Sequence, residues 1–210
     1  GQDIDGEATS DYFGKSVSLN STGTVLAVGG YMNDANNQST PNKGHTRVFN
    51  NVGGSWFQIG QDIDGDAANN YSGAAVCLSN SGERVIIGAP FNADNGTASG
   101  HVRVFEDISG NWTQIGADID GISAENEFGT SVALNSNGNI VAAGTLGYQD
   151  QGNVRVFENV SGSWNQIGNT INGDNNYDYF GSSISRSCSL ISTWQLSLDS
   201  DSKPQALSNI

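Results

Sequence analysis

The sequence predicts an all-β chain: a propeller-like array of about three and a half four-stranded blades, forming an incomplete ring. Three observations predict it. The phrase GQDIDG at 1–6 returns as GQDIDG at 60–65, GADIDG at 116–121 and GNTING at 168–173, in steps of 59, 56 and 52 residues. A period of that size marks one supersecondary unit repeated along the chain. Between these phrases lie short apolar segments of strand length, and no 3.6-residue periodicity persists. The 28 glycines, with abundant Asn and Ser, supply the turns that so many short strands need.

Each unit reads as four strands. The first alternates, placing Val17 and Leu19, Val76 and Leu78, or Val132 and Leu134 on one face. Turns ending at Gly23, Gly82 and Gly138 lead into a continuous apolar run: Val25 to Val28, Val85 to Ile87, Ile140 to Ala143. Such a run suits a strand covered on both faces. The third strand is carried by GHTRVF (44–49), GHVRVF (100–105) and GNVRVF (152–157), and the fourth by Trp56, Trp112 or Trp164. A unit this small cannot bury both faces alone, but neighbours stacked around an axis cover them. A linear stack of β-layers is the alternative. Residues 1–185 hold the repeats on this reading, with blades at 13–63, 72–119 and 128–171 and a partial fourth from 180. The repeat pattern fails at Arg186, leaving 186–210 as a divergent tail. The expectation is a truncated or frame-altered product of a longer gene, its open blade ends covered by pairing with a second copy of the chain.

Charge excludes two classes of partner. With a net charge of −14 and only eight Lys and Arg, the chain has no basic surface for a phosphate backbone or an anionic membrane. No apolar run approaches the roughly 20 residues of a membrane-spanning helix. The N-terminal GQDIDG has no signal-peptide character. Cys77 and Cys188 fall at different places in the repeat and form no disulfide framework.

With these residues in view, the chain resembles the FG-GAP family of β-propeller repeats, found in integrin α-subunit heads and bacterial surface proteins. The matching pieces are Phe13-Gly14, Phe128-Gly129 and Phe180-Gly181, Gly88-Ala89-Pro90, and the strand Gly100-His101-Val102-Arg103-Val104-Phe105. The resemblance covers residues 1 to about 185. It implies a propeller fold and an extracellular or cell-surface binding role. The second unit departs with Ser72-Gly73, and the first and third lack Gly-Ala-Pro. Calcium-binding members carry a D-x-D/N-x-D-G loop between their first two strands. Here those loops are Asn20-Ser21-Thr22-Gly23, Asn80-Ser81-Gly82-Glu83 and Asn135-Ser136-Asn137-Gly138, without Asp. A hard cation wants several oxygen ligands. The usual calcium site is therefore expected to be absent, and no cofactor is expected, calcium being the one ion considered.

The loop after the second strand varies most in length, and variable loops on a rigid scaffold are where binding usually resides. It makes Asn33, Asp34, Asn92, Asp94 and Asp150 the candidate binding residues, through oxygens and amides suited to sugar hydroxyls or a cation. Asp3 and Asp5, Asp62 and Asp64, and Asp118 and Asp120 are read as turn and strand-end acids. The alternative is that they collect a cation with Glu7, Asp11, Asp66, Glu125 or Glu127. His45 and His101 occupy equivalent places, with Asn153 in the third unit, while Arg47, Arg103 and Arg155 recur in all three. Residues repeated in this way read as architectural, so no catalytic residue and no metal ligand is expected. The tryptophans are expected to pack between blades. The chain is thus expected to be a binding or adhesion module without catalysis, taking a glycan or protein ligand. A structural repeat segment and a polysaccharide-active enzyme fragment are the alternatives.

Overall fold

The computed structural model describes residues 2–34, 41–147 and 150–185, so the tail at 186–210 lies outside the described residues. Among the described residues there is no helix. Three antiparallel sheets follow one another along the chain. The first contains β1 (Phe13–Leu19), β2 (Val25–Gly30), β3 (His45–Val52), β4 (Ser55–Gln58) and β5 (Ile63–Asp64). The second contains β6 (Ala75–Leu78), β7 (Arg84–Ala89), β8 (His101–Asp107), β9 (Trp112–Gln114) and β10 (Ile119–Asp120). The third contains β11 (Ser131–Leu134), β12 (Ile140–Gly144), β13 (Asn153–Val160), β14 (Ser163–Gln166) and β15 (Ile171–Asn172).

Each sheet has four strand positions, the outermost filled by two short strands. In the first, β4 pairs with the far half of β3, and β5 pairs with its near half through His45↔Asp64 and Thr46↔Ile63. The outer edge breaks at Gly60 (φ +68°) and, one repeat later, at Gly116 (φ +72°). Positive φ is where glycine costs least. Asp62 and Asp118 lie just beyond those breaks, ahead of β5 and β10.

The second strand is covered on both sides, as its unbroken apolar run predicts. Val85 and Ile87 pack with Ala27, Val48, Ile63 and Leu78 in a core between the first and second sheets. Ile86 points the other way, into a core with Val104, Phe128, Leu134 and Phe157 between the second and third. Full burial of such a side chain stabilises by about 1.5–3 kcal/mol. The first strand differs from expectation in one place. Leu78, Leu134 and Val132 are buried, but their equivalents in the first sheet, Leu19 and Val17, are 54% and 61% exposed. Among the described residues no sheet covers that face of β1.

Glycines let neighbouring sheets touch backbone to backbone. A Cβ on Gly29 would strike the carbonyl oxygen of Gly73, one on Gly88 that of Gly129, and one on Gly144 that of Gly181. Parallel bridges Gly44↔Ser72, Gly100↔Phe128 and Gly152↔Phe180 stitch each repeat to the next at the same level. Two side-chain latches span the junctions. The indoles of Trp112 and Trp164 donate to the carbonyls of Ile59 and Ile115 at 2.9 and 2.8 Å, the packing role expected of them. The guanidinium groups of Arg103 and Arg155 donate to the carbonyls of Asp64 and Asp120. Burial pushes the Arg155 guanidinium down to about 10, against the opposing pull of Asp120.

The turns between first and second strands close on themselves. The carboxamide oxygen of Asn20 accepts from the amides of Thr24 and Val25, and that of Asn135 from Asn139 and Ile140. Gly88→Ala should lower the melting temperature by roughly 4–8 °C, as overpacking of about 2 kcal/mol implies for a chain of this size. An unchanged melting temperature in differential scanning calorimetry would refute the glycine seam.

Candidate functional site

His45 and His101 open β3 and β8, each directly after a positive-φ glycine, Gly44 or Gly100. Both residues are completely buried, and neither ring nitrogen of either one has a hydrogen-bond partner among the described residues. Orphaned polar atoms of that kind are rare in folded proteins and call for an explanation. What faces them is carboxylate. His101 Nδ1 lies 3.4 Å from Asp118 Oδ2, and its Nε2 lies 3.8 Å from Asp66 Oδ1. His45 Nδ1 lies 3.4 Å from Asp62 Oδ2 and 3.9 Å from Glu7 Oε2.

Asp94 completes the larger cluster: one ligand atom from each of Asp66, Asp94, His101 and Asp118 lies within 4.8 Å of all the others. Glu7, His45 and Asp62 meet the same condition. Each cluster has a buried imidazole at its base and more exposed carboxylates at its rim. The larger one straddles two sheets, because Asp66 follows β5 of the first while His101 and Asp118 belong to the second.

Amides hold the carboxylates in place. Gln58 and Gln114 donate to Asp62 Oδ1 and Asp118 Oδ1, both at 2.6 Å. Asn70 donates to Asp66 Oδ1 at 2.9 Å, and Asn92 to Asp94 Oδ2 at 3.0 Å. Burial pulls the His101 imidazole below its ordinary value, despite the opposing influence of Asp66 and Asp118. Burial, and then Asp118 and Asp94, push the Asp120 carboxyl up against the pull of His101.

The five candidate binding residues divide between support and site. Asn33 and Asn92 are buried, and their carbonyls accept from Gly44 and Gly100 at the turn before each histidine. Asn33 also donates to Asp11 at 2.9 Å. Asp34 accepts from the Asn42 amide, and Asp150 from the Gln151 amide next to it. Asp94 alone of the five joins a cluster. Asn36, from the same loop, lies outside the described residues.

Sequence reasoning missed His45 and His101 by reading recurrence as architecture. The signal that could have found them lies in the third repeat. There the positions of Asp66, His101 and Asp118 hold Ile122, Asn153 and Thr170, so all three change together while Arg155 stays. A row of aromatic rings also went unread: Tyr12, Tyr31, Tyr71 and Phe91, with successive centroids 5.5, 5.7 and 5.0 Å apart. Tyr71 adjoins Asn70 and Phe91 adjoins Asn92, the two amides that hold Asp66 and Asp94.

No family model and no curated protein matches the chain. Solved structures do. A Bacteroides fragilis protein described as a "putative 6-phosphogluconolactonase" aligns with a TM-score of 0.53 at 16% identity, covering 77% of this chain and 39% of that one. A Bacteroides uniformis protein of the same description aligns with a TM-score of 0.52 at 12% identity, covering 79% and 43%. The chain thus spans about two fifths of the length of these neighbours. At such identity the likeness establishes the fold, which is propeller-like. It also corrects the expectation of a binding or adhesion module without catalysis, because the same fold occurs in proteins described as lactonases.

Glu127 offers a test of the local electrostatics in the third repeat. Burial, and then the neighbouring Glu125, raise its carboxyl above the ordinary 4.5. The folded state therefore favours the protonated form, and stability falls as pH rises from that value through the folded one. Glu127→Gln should melt about 2 °C higher than the parent at neutral pH, the advantage closing as pH drops toward 4.5. A constant difference across that range would contradict the assignment.

Proposed function

We propose that this chain forms part of a hydrolase that opens a neutral sugar lactone at the His101 cluster. The observation that carries the proposal is the buried, unpartnered His101 ring facing Asp66 and Asp118, with Asp94 at the rim. It is supported by the fold shared with proteins described as 6-phosphogluconolactonases. Aromatic faces take up the apolar face of a sugar ring, and the row ends at Tyr71 and Phe91, the chain neighbours of the amides that hold Asp66 and Asp94. Phosphate is disfavoured. A rim of carboxylates on a chain of net charge −14 repels a phosphorylated lactone, so the substrate is written uncharged.

The chemistry needs a water and a proton acceptor. Asp94 is exposed at the rim, and Asn92 donates to its Oδ2. As the water oxygen bonds to the lactone carbonyl carbon, Asp94 takes its proton. The ring C–O bond then breaks and the proton passes to the departing oxygen, leaving an open hydroxy acid. His101, fully buried, does not touch substrate; the amides of Asn70, Asn92 and Gln114 hold the carboxylates around it.

Hydrolysis of δ-gluconolactone in mildly acidic buffer, followed by acid release, should run faster with the protein than without it. Asp94→Asn should lower kcat by roughly 100-fold without changing the melting temperature. Phe91→Ala should raise KM and leave kcat nearly intact. No acceleration over buffer with a series of neutral lactones would end this reading.

A further inference from the structure

The two clusters share a construction that acid–base chemistry alone does not require. We infer that each takes one divalent first-row transition ion of the zinc or manganese kind. Asp66, His101 and Asp118 hold one, with Asp94 beside them at the rim. Glu7, His45 and Asp62 hold the other. The first cluster is the one assigned to lactone opening; only a part for its ion in that chemistry rests on that reading, while binding itself does not.

Four features carry the inference. The candidate ligand atoms in each cluster lie within 4.8 Å of one another, and an ion with bonds of about 2.0–2.2 Å draws such atoms in only slightly. Both imidazoles are fully buried with ring nitrogens that have no hydrogen-bond partner, and they are aimed at the carboxylates. A metal ion satisfies one such nitrogen of each ring, whereas a carboxylate oxygen at 3.4–3.9 Å does not. Asp62, Asp66 and Asp118 each accept an amide bond at one oxygen, the outer support that orients metal-binding carboxylates.

The fourth feature is internal to the repeat. A purely architectural histidine should recur wherever its neighbours do. Gly152 and Arg155 keep their places in the third unit, yet acid, histidine and Asp are replaced as a set by Ile122, Asn153 and Thr170. Residues that share one ligand are retained or lost together. The imidazole also selects among ions: calcium and magnesium take oxygen ligands, while mixed imidazole and carboxylate sets suit zinc or manganese.

Cobalt(II) titrated into the chelator-treated chain reads the sites directly, through visible absorption that reports nitrogen and oxygen coordination. Two equivalents should bind. His101→Asn, which installs the residue of the third repeat, should abolish one of them. Asp118→Asn, nearer the surface, should weaken that site by roughly tenfold or more while the metal-free melting temperature holds. No visible band, or two equivalents that survive both substitutions, would overturn the ion sites, as would binding of calcium alone. Cobalt bound as described, with no lactone turnover, supports the ion sites and sinks only the hydrolase. Turnover by metal-free protein that binds no cobalt does the reverse.

Discussion

Everything in this fold depends on how closely one sheet can approach the next. Thin four-stranded sheets have two apolar faces each, and their cores form only where a neighbour arrives within packing distance. Glycines at the end of each second strand meet glycine backbone at the start of the next repeat, so the approach is set by main chain. The apolar layers around Ile87 and Ile86 then fill the space on either side. A side chain at Gly29 would hold the first two sheets apart and open the layer around Ile87, and one at Gly88 would do the same to the layer around Ile86.

The same approach builds the larger cluster. Asp66 belongs to the chain leaving the first sheet, and His101 to a central strand of the second. Gly65 lies against the carbonyl of Lys43, and its amide donates to that of Gly44, which fixes the exit from β5. Arg103 ties the second sheet to the carbonyl of Asp64, two residues before Asp66. Junction and cluster are therefore one construction, and a lost latch would move a carboxylate as well as loosen a core.

Much of the fold was legible because strands announce themselves through local pattern. The run from Val85 to Ile87 suits a strand covered twice, and Trp112 and Trp164 sit between sheets as expected of them. Far less of the site could be read. Asp66, His101 and Asp118 are distant in sequence, and they meet only because β5 leaves the first sheet where the second begins. Asp62 and Asp64 look alike in the sequence, yet one faces an imidazole and the other offers its carbonyl to an arginine. That distinction arises from the broken outer edge at Gly60, which composition does not reveal. The exposure of Val17 and Leu19 was hidden for a similar reason: burial of a strand face depends on the sheet beside it, not on its own alternation.

At the inter-sheet junction a buried imidazole and carboxylates come together, and a binding centre is proposed there. Anomalous diffraction from crystals of the chain grown with manganese tests it most directly. One peak is expected among Asp66, Asp94, His101 and Asp118, and another beside His45. Density without a peak at either histidine, or with peaks only at the Asn20 and Asn135 turns, would contradict it.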